Sequence, residues 1–302
     1  MKIDGKQIAL EIYDGLKFRV EKLKEQGIAP QIAVILIGDD PASKSYITQK
    51  ERWSKYIGTL FSYIHFPEYI SEEEVLDRLK LLNSDPKIHG IIVQRPIPAQ
   101  INKQKIINTI NLKKDIDGFH PDSIYDVPVA QAVMRVLTEI YSLSKVPLSE
   151  TQSGSMMPYN SRNAADYPNT IFLQWLKHKS IVVIGKGETA GKPIISHLKK
   201  NGLNPHIISS QTLNPLDSIK KADIIISAVG KSEIVKPAFL KPDAIVLGVG
   251  LYRGENDKLY GDYIASDIEL KASYYTPIIG GIGPVNVAYL LSNLIDAAEK
   301  AI

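Results

Sequence analysis

Apolar residues in the first half of the chain switch between two spacings. Over residues 8–26, Ile8, Leu10, Ile12, Leu16, Phe18, Val20 and Leu23 recur among charges, which predicts a long amphipathic helix. Residues 31–37 are a short apolar run of strand length. Asp40 before Pro41 pairs an N-cap acceptor with a proline suited to the first helical position, so a helix should run from there to about residue 56 and close at Gly58. A strand over 59–64 follows. Ser71-Glu72-Glu73-Glu74 is a capping box that opens a helix through residue 82, and residues 90–94 form a compact buried strand cut off by Pro96 and Pro98. The order βαβαβ predicts a parallel sheet.

From about residue 142 to 169 the pattern gives way to Ser, Asn, Gln, Pro and Tyr, the texture of a surface insertion or interdomain connection. Alternation then resumes, with strands expected at 180–184, 205–208, 223–229 and 244–249, a helix to residue 200, and a last helix over 285–301. At 302 residues the chain has room for two domains. The fold class expected is α/β, two doubly wound parallel-sheet domains with a cleft between them. One covers 1–140 and is completed by the C-terminal helix 285–302; an insertion or linker covers 141–170; the second domain covers 171–284.

Composition removes several kinds of chemistry. Hydrophobic types make up 44% and charged types 23%, an ordinary globular balance. Zero cysteines exclude disulfides, thiolate nucleophiles and cysteine-held metals. The six histidines show no HExxH-like pairing, so no metal is expected. A net charge of +3 arises from 36 basic and 33 acidic residues without basic blocks, so no nucleic-acid partner is expected. Apolar runs fall far short of a membrane span, and residues 1–6 lack the apolar core of a secretory signal, so the expectation is a cytoplasmic protein without a membrane partner.

The strongest local motif is Ile181-Val182-Val183-Ile184-Gly185-Lys186-Gly187-Glu188-Thr189-Ala190-Gly191, a strand running into GxGxxA and then a helix. Such glycines permit a tight turn and let backbone N–H groups approach a pyrophosphate at a helix N-terminus, although a glycine-rich turn without a ligand has the same residues. Where an NAD site usually offers a carboxylate to the ribose, this chain reads His206-Ile207-Ile208-Ser209-Ser210-Gln211. With Lys186 in the phosphate turn, the dinucleotide expected is NADP in preference to NAD.

A second group lies around the Asp40 helix, where Ser43, Tyr46 and Lys50 are spaced to share one face. Taken alone they describe a solvated helix with a snorkelling lysine. Gln94 at the end of a buried strand and Asp117 in the turn-like Lys114-Asp115-Ile116-Asp117-Gly118 add polar groups, and ligands of open α/β sheets bind beyond strand carboxyl ends.

At these residues the chain resembles the bifunctional methylenetetrahydrofolate dehydrogenase/methenyltetrahydrofolate cyclohydrolases. The likeness covers Asp4-Gly5-Lys6, Gly38-Asp39-Asp40-Pro41-Ala42-Ser43 with Tyr46 and Lys50, Val93-Gln94, Lys114 to Phe119, Ala222 to Lys231, and Gly280-Gly281-Ile282-Gly283-Pro284 with Ala288. It implies that Lys50 is the catalytic residue of the cyclohydrolase, tuned by Gln94 and assisted by Ser43. It also implies that Tyr46 stacks on the folate aminobenzoate and that Asp117 holds the pterin, with Gly281 and Pro284 near the substrate. The cofactor contacts implied are Gly185, Lys186, Gly187, Glu188, Thr189, Gly191, Ser209, Ser210, Val229 and Gly230, and the assembly implied is a homodimer. The C-terminal domain would be of the Rossmann kind.

Departures from that pattern bear on the balance of the two activities. The usual Pro-Cys-Thr-Pro motif is effectively absent, the best local match being Val127-Pro128-Val129-Ala130. Arg95 stands for leucine, Gly248 for aspartate, and Ile279 and Asn286 for proline and threonine. Three rival readings are a cyclohydrolase with an impaired redox step, a non-catalytic dinucleotide-binding protein, and a different dehydrogenase of related plan.

Overall fold

The computed structural model describes residues 1–145, 170–254 and 258–301. In chain order the elements are α1 (Gly5–Glu25), β1 (Gln31–Ile37), α2 (Pro41–Ile57), β2 (Leu60–Phe66), α3 (Glu72–Ser84), β3 (Gly90–Val93), α4 (Lys103–Thr109), α5 (Pro128–Lys145), α6 (Thr170–Lys177), β4 (Ile181–Ile184), α7 (Gly191–Lys200), β5 (His206–Ile208), α8 (Pro215–Lys221), β6 (Ile224–Ser227), β7 (Ile245–Gly248), β8 (Leu251–Arg253), β9 (Leu259–Gly261), α9 (Ala265–Glu269), β10 (Tyr274–Tyr275) and α10 (Ile282–Glu299). The chain divides into two compact units, Leu10–Pro128 with Val287–Ile302 and Met1–Ala9 with Val129–Asn286.

In the unit built on Leu10–Pro128, three parallel strands lie in the order β2-β1-β3. The central strand β1 is apolar because both its faces are covered; Ile32 to Leu36 are fully buried. On one face Ala33, Ile35 and Ile91 pack with Val75 and Leu79 of α3 and Ile106 of α4. Local chemistry sets the helix ends. The Asp40 side chain accepts from Ser43 N at 2.7 Å at the start of α2, and Gly58 closes that helix at φ 86°. Ser71 and Glu74 cap α3 reciprocally. Lys114 Nζ donates to the carbonyls of Leu82, Asn83 and Asp85, closing the far end of α3 and fixing the start of the loop that carries Asp117.

The other unit holds a five-stranded parallel sheet in the order β10-β7-β6-β4-β5. Beside it β8 and β9 form an antiparallel pair. Val182, Ile225 and Val246 from its strands pack with Ile219 of α8 and the buried Tyr263. The N-terminal residues join this unit at the β10 edge, where Ile3 N donates to Tyr275 O at 2.8 Å and Tyr275 N to Met1 O at 3.0 Å. Gly5 packs directly on the main chain of Gly281, and a side-chain carbon at either glycine would overlap backbone.

Several boundaries differ from those expected. The strand expected over 223–229 ends at Ser227, so Val229 and Gly230 lie in the loop after it, and the last helix begins at Ile282, which draws Gly283 and Pro284 into its first turn. Residues 1–9 and all but the first residue of α5 group with the dinucleotide-type unit instead of the 1–140 domain. The expected linker is helical at both described ends, since α5 runs to Lys145 and α6 starts at Thr170; residues 146–169 lie outside the described residues.

Candidate active site

In the β2-β1-β3 unit the polar residues gather where β3 ends and α2 passes. Lys50 Nζ donates to Gln94 Oε1 at 2.9 Å. Gln94 Nε2 donates to Arg95 O at 2.9 Å, and the buried Ser43 donates its hydroxyl to the same carbonyl at 3.1 Å. A closed chain of contacts therefore runs from Ser43 through Arg95 and Gln94 to Lys50, two turns along the same helix. In it Ser43 connects to the lysine by way of Arg95 O and the Gln94 amide. Tyr46 lies one turn before Lys50 and is 39% exposed.

Asp117 completes this group electrostatically. Burial pushes the Lys50 ammonium below the usual lysine range, with the Asp117 charge opposing. Burial likewise pushes the Asp117 carboxyl up, against the pull of Lys50 and Arg95. The Arg95 guanidinium stacks 4.0 Å over the Phe119 ring, and Arg95, Asp117 and Phe119 line one cavity with Ile91, Val93 and Asp115. Gly118 is required here: its φ is +71°, and a side-chain carbon would lie 2.7 Å from Tyr125 O. Asn293 of α10 steadies the same loop by donating to Ile116 O at 2.8 Å and Asp126 O at 3.0 Å.

In the other unit the turn after β4 has the form a dinucleotide needs. Gly185 adopts φ +99° with its open side against Ala228 O. Nothing lies within 4 Å of where a side chain at Gly187 would project, which leaves room for a phosphate to approach the backbone. Close helix–strand packing falls on Gly191, which sits on the Gly185 backbone, and not on Ala190, which is the N-cap of α7. Lys186, Glu188 and Thr189 are exposed along this turn. After β5, Ser209 accepts from Gln211 N at 3.3 Å, and its own N–H donates to Thr212 Oγ1 at 2.9 Å, leaving Ser210 exposed at the bend.

Two family models match the chain: tetrahydrofolate dehydrogenase/cyclohydrolase, catalytic domain, over residues 3–117, and the NAD(P)-binding domain of the same family over residues 173–302. The bifunctional protein FolD of Oceanobacillus iheyensis is 35% identical over 297 residues, covering 98% of this chain and 96% of the relative. The chain belongs to this family. FolD of Staphylococcus saprophyticus is 36% identical over 298 residues, covering 99% and 96%. Among solved structures, the bifunctional FolD methylenetetrahydrofolate dehydrogenase/cyclohydrolase of Campylobacter jejuni superposes with a TM-score of 0.85 at 30% identity, covering 100% of this chain and 99% of that one.

One departure from the family pattern has a packing cause. A side-chain carbon at Gly248 would lie 2.8 Å from the Tyr263 hydroxyl, so the buried tyrosine fills the space that a larger residue would need. Sequence reasoning missed two buried side chains that hold loops in place, Asn293 and Asp262, the latter accepting from Ser227 Oγ and the N–H groups of 229–231. Asn293 carried a signal, as a lone amide in the otherwise apolar stretch from Val287 to Ile295 that also holds Ser292. Asp262, in an irregular loop among tyrosines, carried none.

Proposed function

We propose that the protein oxidises methylenetetrahydrofolate to methenyltetrahydrofolate with NADP and hydrolyses the product to formyltetrahydrofolate. The observation that carries this reading is the Lys50–Gln94 hydrogen bond beside Asp117, in a chain that also has an open glycine turn after β4. Asp117 would accept hydrogen bonds from the pterin amino and ring N–H groups, and Tyr46 would stack on the aminobenzoate. Bound NADP supplies the acceptor for a hydride from the methylene carbon. Electron donation from N5 and N10 forms the methenyl cation in that step, so the protein need only position the donor.

Hydrolysis is where a side chain must handle protons. Water adds to the methenyl carbon and gives up a proton to the neutral Lys50 amine. The bond from that carbon to N5 then breaks, with a proton delivered to N5, and one proton is released overall. Gln94 holds the amine through a neutral oxygen, which orients it without fixing a positive charge on it.

Lys186 in an exposed phosphate turn and the absence of a carboxylate at 206–211 favour NADP over NAD. By family resemblance we also assign a homodimer acting in the cytoplasm; among the described residues no helix is long and apolar enough to cross a membrane. A spectrophotometric assay with methylenetetrahydrofolate and either cofactor tests the reading. It should show reduced NADP and methenyl turnover together, whereas turnover of methenyltetrahydrofolate alone would favour a cyclohydrolase without the redox step.

A further inference from the structure

Asp262 follows β9 and is completely buried. Its carboxylate accepts four hydrogen bonds: Oδ2 takes Ser227 Oγ at 2.6 Å and Val229 N at 3.0 Å, and Oδ1 takes Gly230 N at 2.7 Å and Lys231 N at 3.0 Å. Among the described residues it forms no ion pair. A buried carboxylate without a cation is costly unless donors replace its lost water, and these four donors do so. Gly250 is backed against the carboxylate, and a side chain there would displace it.

The three amides held by Asp262 are successive and lie just beyond the carboxyl end of β6, next to β4 in the sheet. A concavity of successive N–H groups is a ready anion site, and here the protein's own carboxylate occupies it. The main chain of 229–231 therefore has no free amide to offer a phosphate. Among the described residues its carbonyl oxygens accept no backbone hydrogen bond and stay available to hydroxyls and amides.

We propose that Asp262 is a positioning residue for the dinucleotide: it sets the 229–231 loop in its binding shape beforehand and leaves the loop's main chain to accept from sugar hydroxyl or carboxamide donors, while phosphates go to the Gly185–Gly191 turn. This rests on the dinucleotide reading above. It assigns the buried acid to cofactor binding, apart from the Lys50 group.

The test begins with hydrogen exchange on the protein without cofactor. The amides of Val229, Gly230 and Lys231 should already be protected, and NADP should add little; protection that appears only with NADP overturns the proposal. Asp262→Asn should then raise the NADP Kd roughly ten- to hundredfold, read by titration, because one oxygen becomes a donor facing an N–H. Hydrolysis of methenyltetrahydrofolate, which uses no cofactor, should stay at the wild-type rate. Ser227→Ala, which spares all three loop amides, should change the Kd less than threefold. Equal losses in both variants, or an unchanged Kd in Asp262→Asn, contradict the assignment, and should Asp262→Asn fail to fold, the exchange experiment decides alone. Wild-type protein that binds no NADP at all would instead overturn the dinucleotide reading.

Discussion

Lys50 donates to Gln94 Oε1 across 2.9 Å, while the other end of the Gln94 amide is held by Arg95 O. The acceptor facing the lysine is neutral, so the amine is oriented without its charge being secured. Gln94→Glu would place a carboxylate at that oxygen and raise the Lys50 pKa. The rising limb of the cyclohydrolase pH–rate profile should then move to higher pH, with activity at neutral pH reduced. A limb that stays in place in Gln94→Glu would show that Lys50 does not titrate in catalysis.

Two opposed shifts shape the pH dependence. Lys50 is held below its ordinary value by burial, so its neutral form grows in as pH rises through that lowered pKa, and hydrolysis should rise with it. Asp117 is pushed above its ordinary value, so its charge is lost as pH falls through a point higher than a free aspartate would show. Folate affinity should fall on that acid side for both activities. Arg95→Leu removes one of the two cations that oppose the Asp117 shift, so the acid limb should move to higher pH while NADP affinity is unchanged. Folate KM measured across pH in both reactions checks this.

Local signals were easily read. Asp40-Pro41 and Ser71 with Glu74 placed helix starts because capping is decided within four residues, and β1 was bounded correctly because a doubly covered strand is apolar throughout. The Ser43, Tyr46 and Lys50 face followed from helical spacing. What escaped depended on distant partners. The three-residue strands β8 and β9 are defined by each other, and Asn293 reaches the Asp117 loop from 177 residues away. That close helix–strand packing falls on Gly191, one position after the alanine of the GxGxxA spacing, is likewise decided by packing and not by the motif.

Asn293→Ala leaves the carbonyls of Ile116 and Asp126 without their shared donor. Stability should fall by about 1–3 kcal/mol, and folate KM should rise, because the loop carrying Asp117 loses its brace. Denaturant melts together with KM values read both effects; a stability loss with KM unchanged would confine Asn293 to packing.

Lys186→Ala should lower kcat/KM for NADP far more than for NAD, since only the former carries a 2′-phosphate for the ammonium to meet. Steady-state kinetics with both cofactors measure this. Equal losses would place Lys186 outside the phosphate contacts.

In the function proposed, the division of labour between the two reactions rests on Lys50. Hydride transfer gives no proton to a side chain, whereas hydrolysis requires one to be taken from water and one to be delivered to nitrogen. The decisive measurement is therefore both activities of Lys50→Met in the same preparation, with NADP titration and circular dichroism as controls. Cyclohydrolase activity should drop by roughly 100- to 10,000-fold, with dehydrogenase activity still measurable and NADP affinity intact. If both activities fell together in a folded protein, Lys50 would be holding the folate and not moving its protons, and hydrolysis would not proceed through a lysine base.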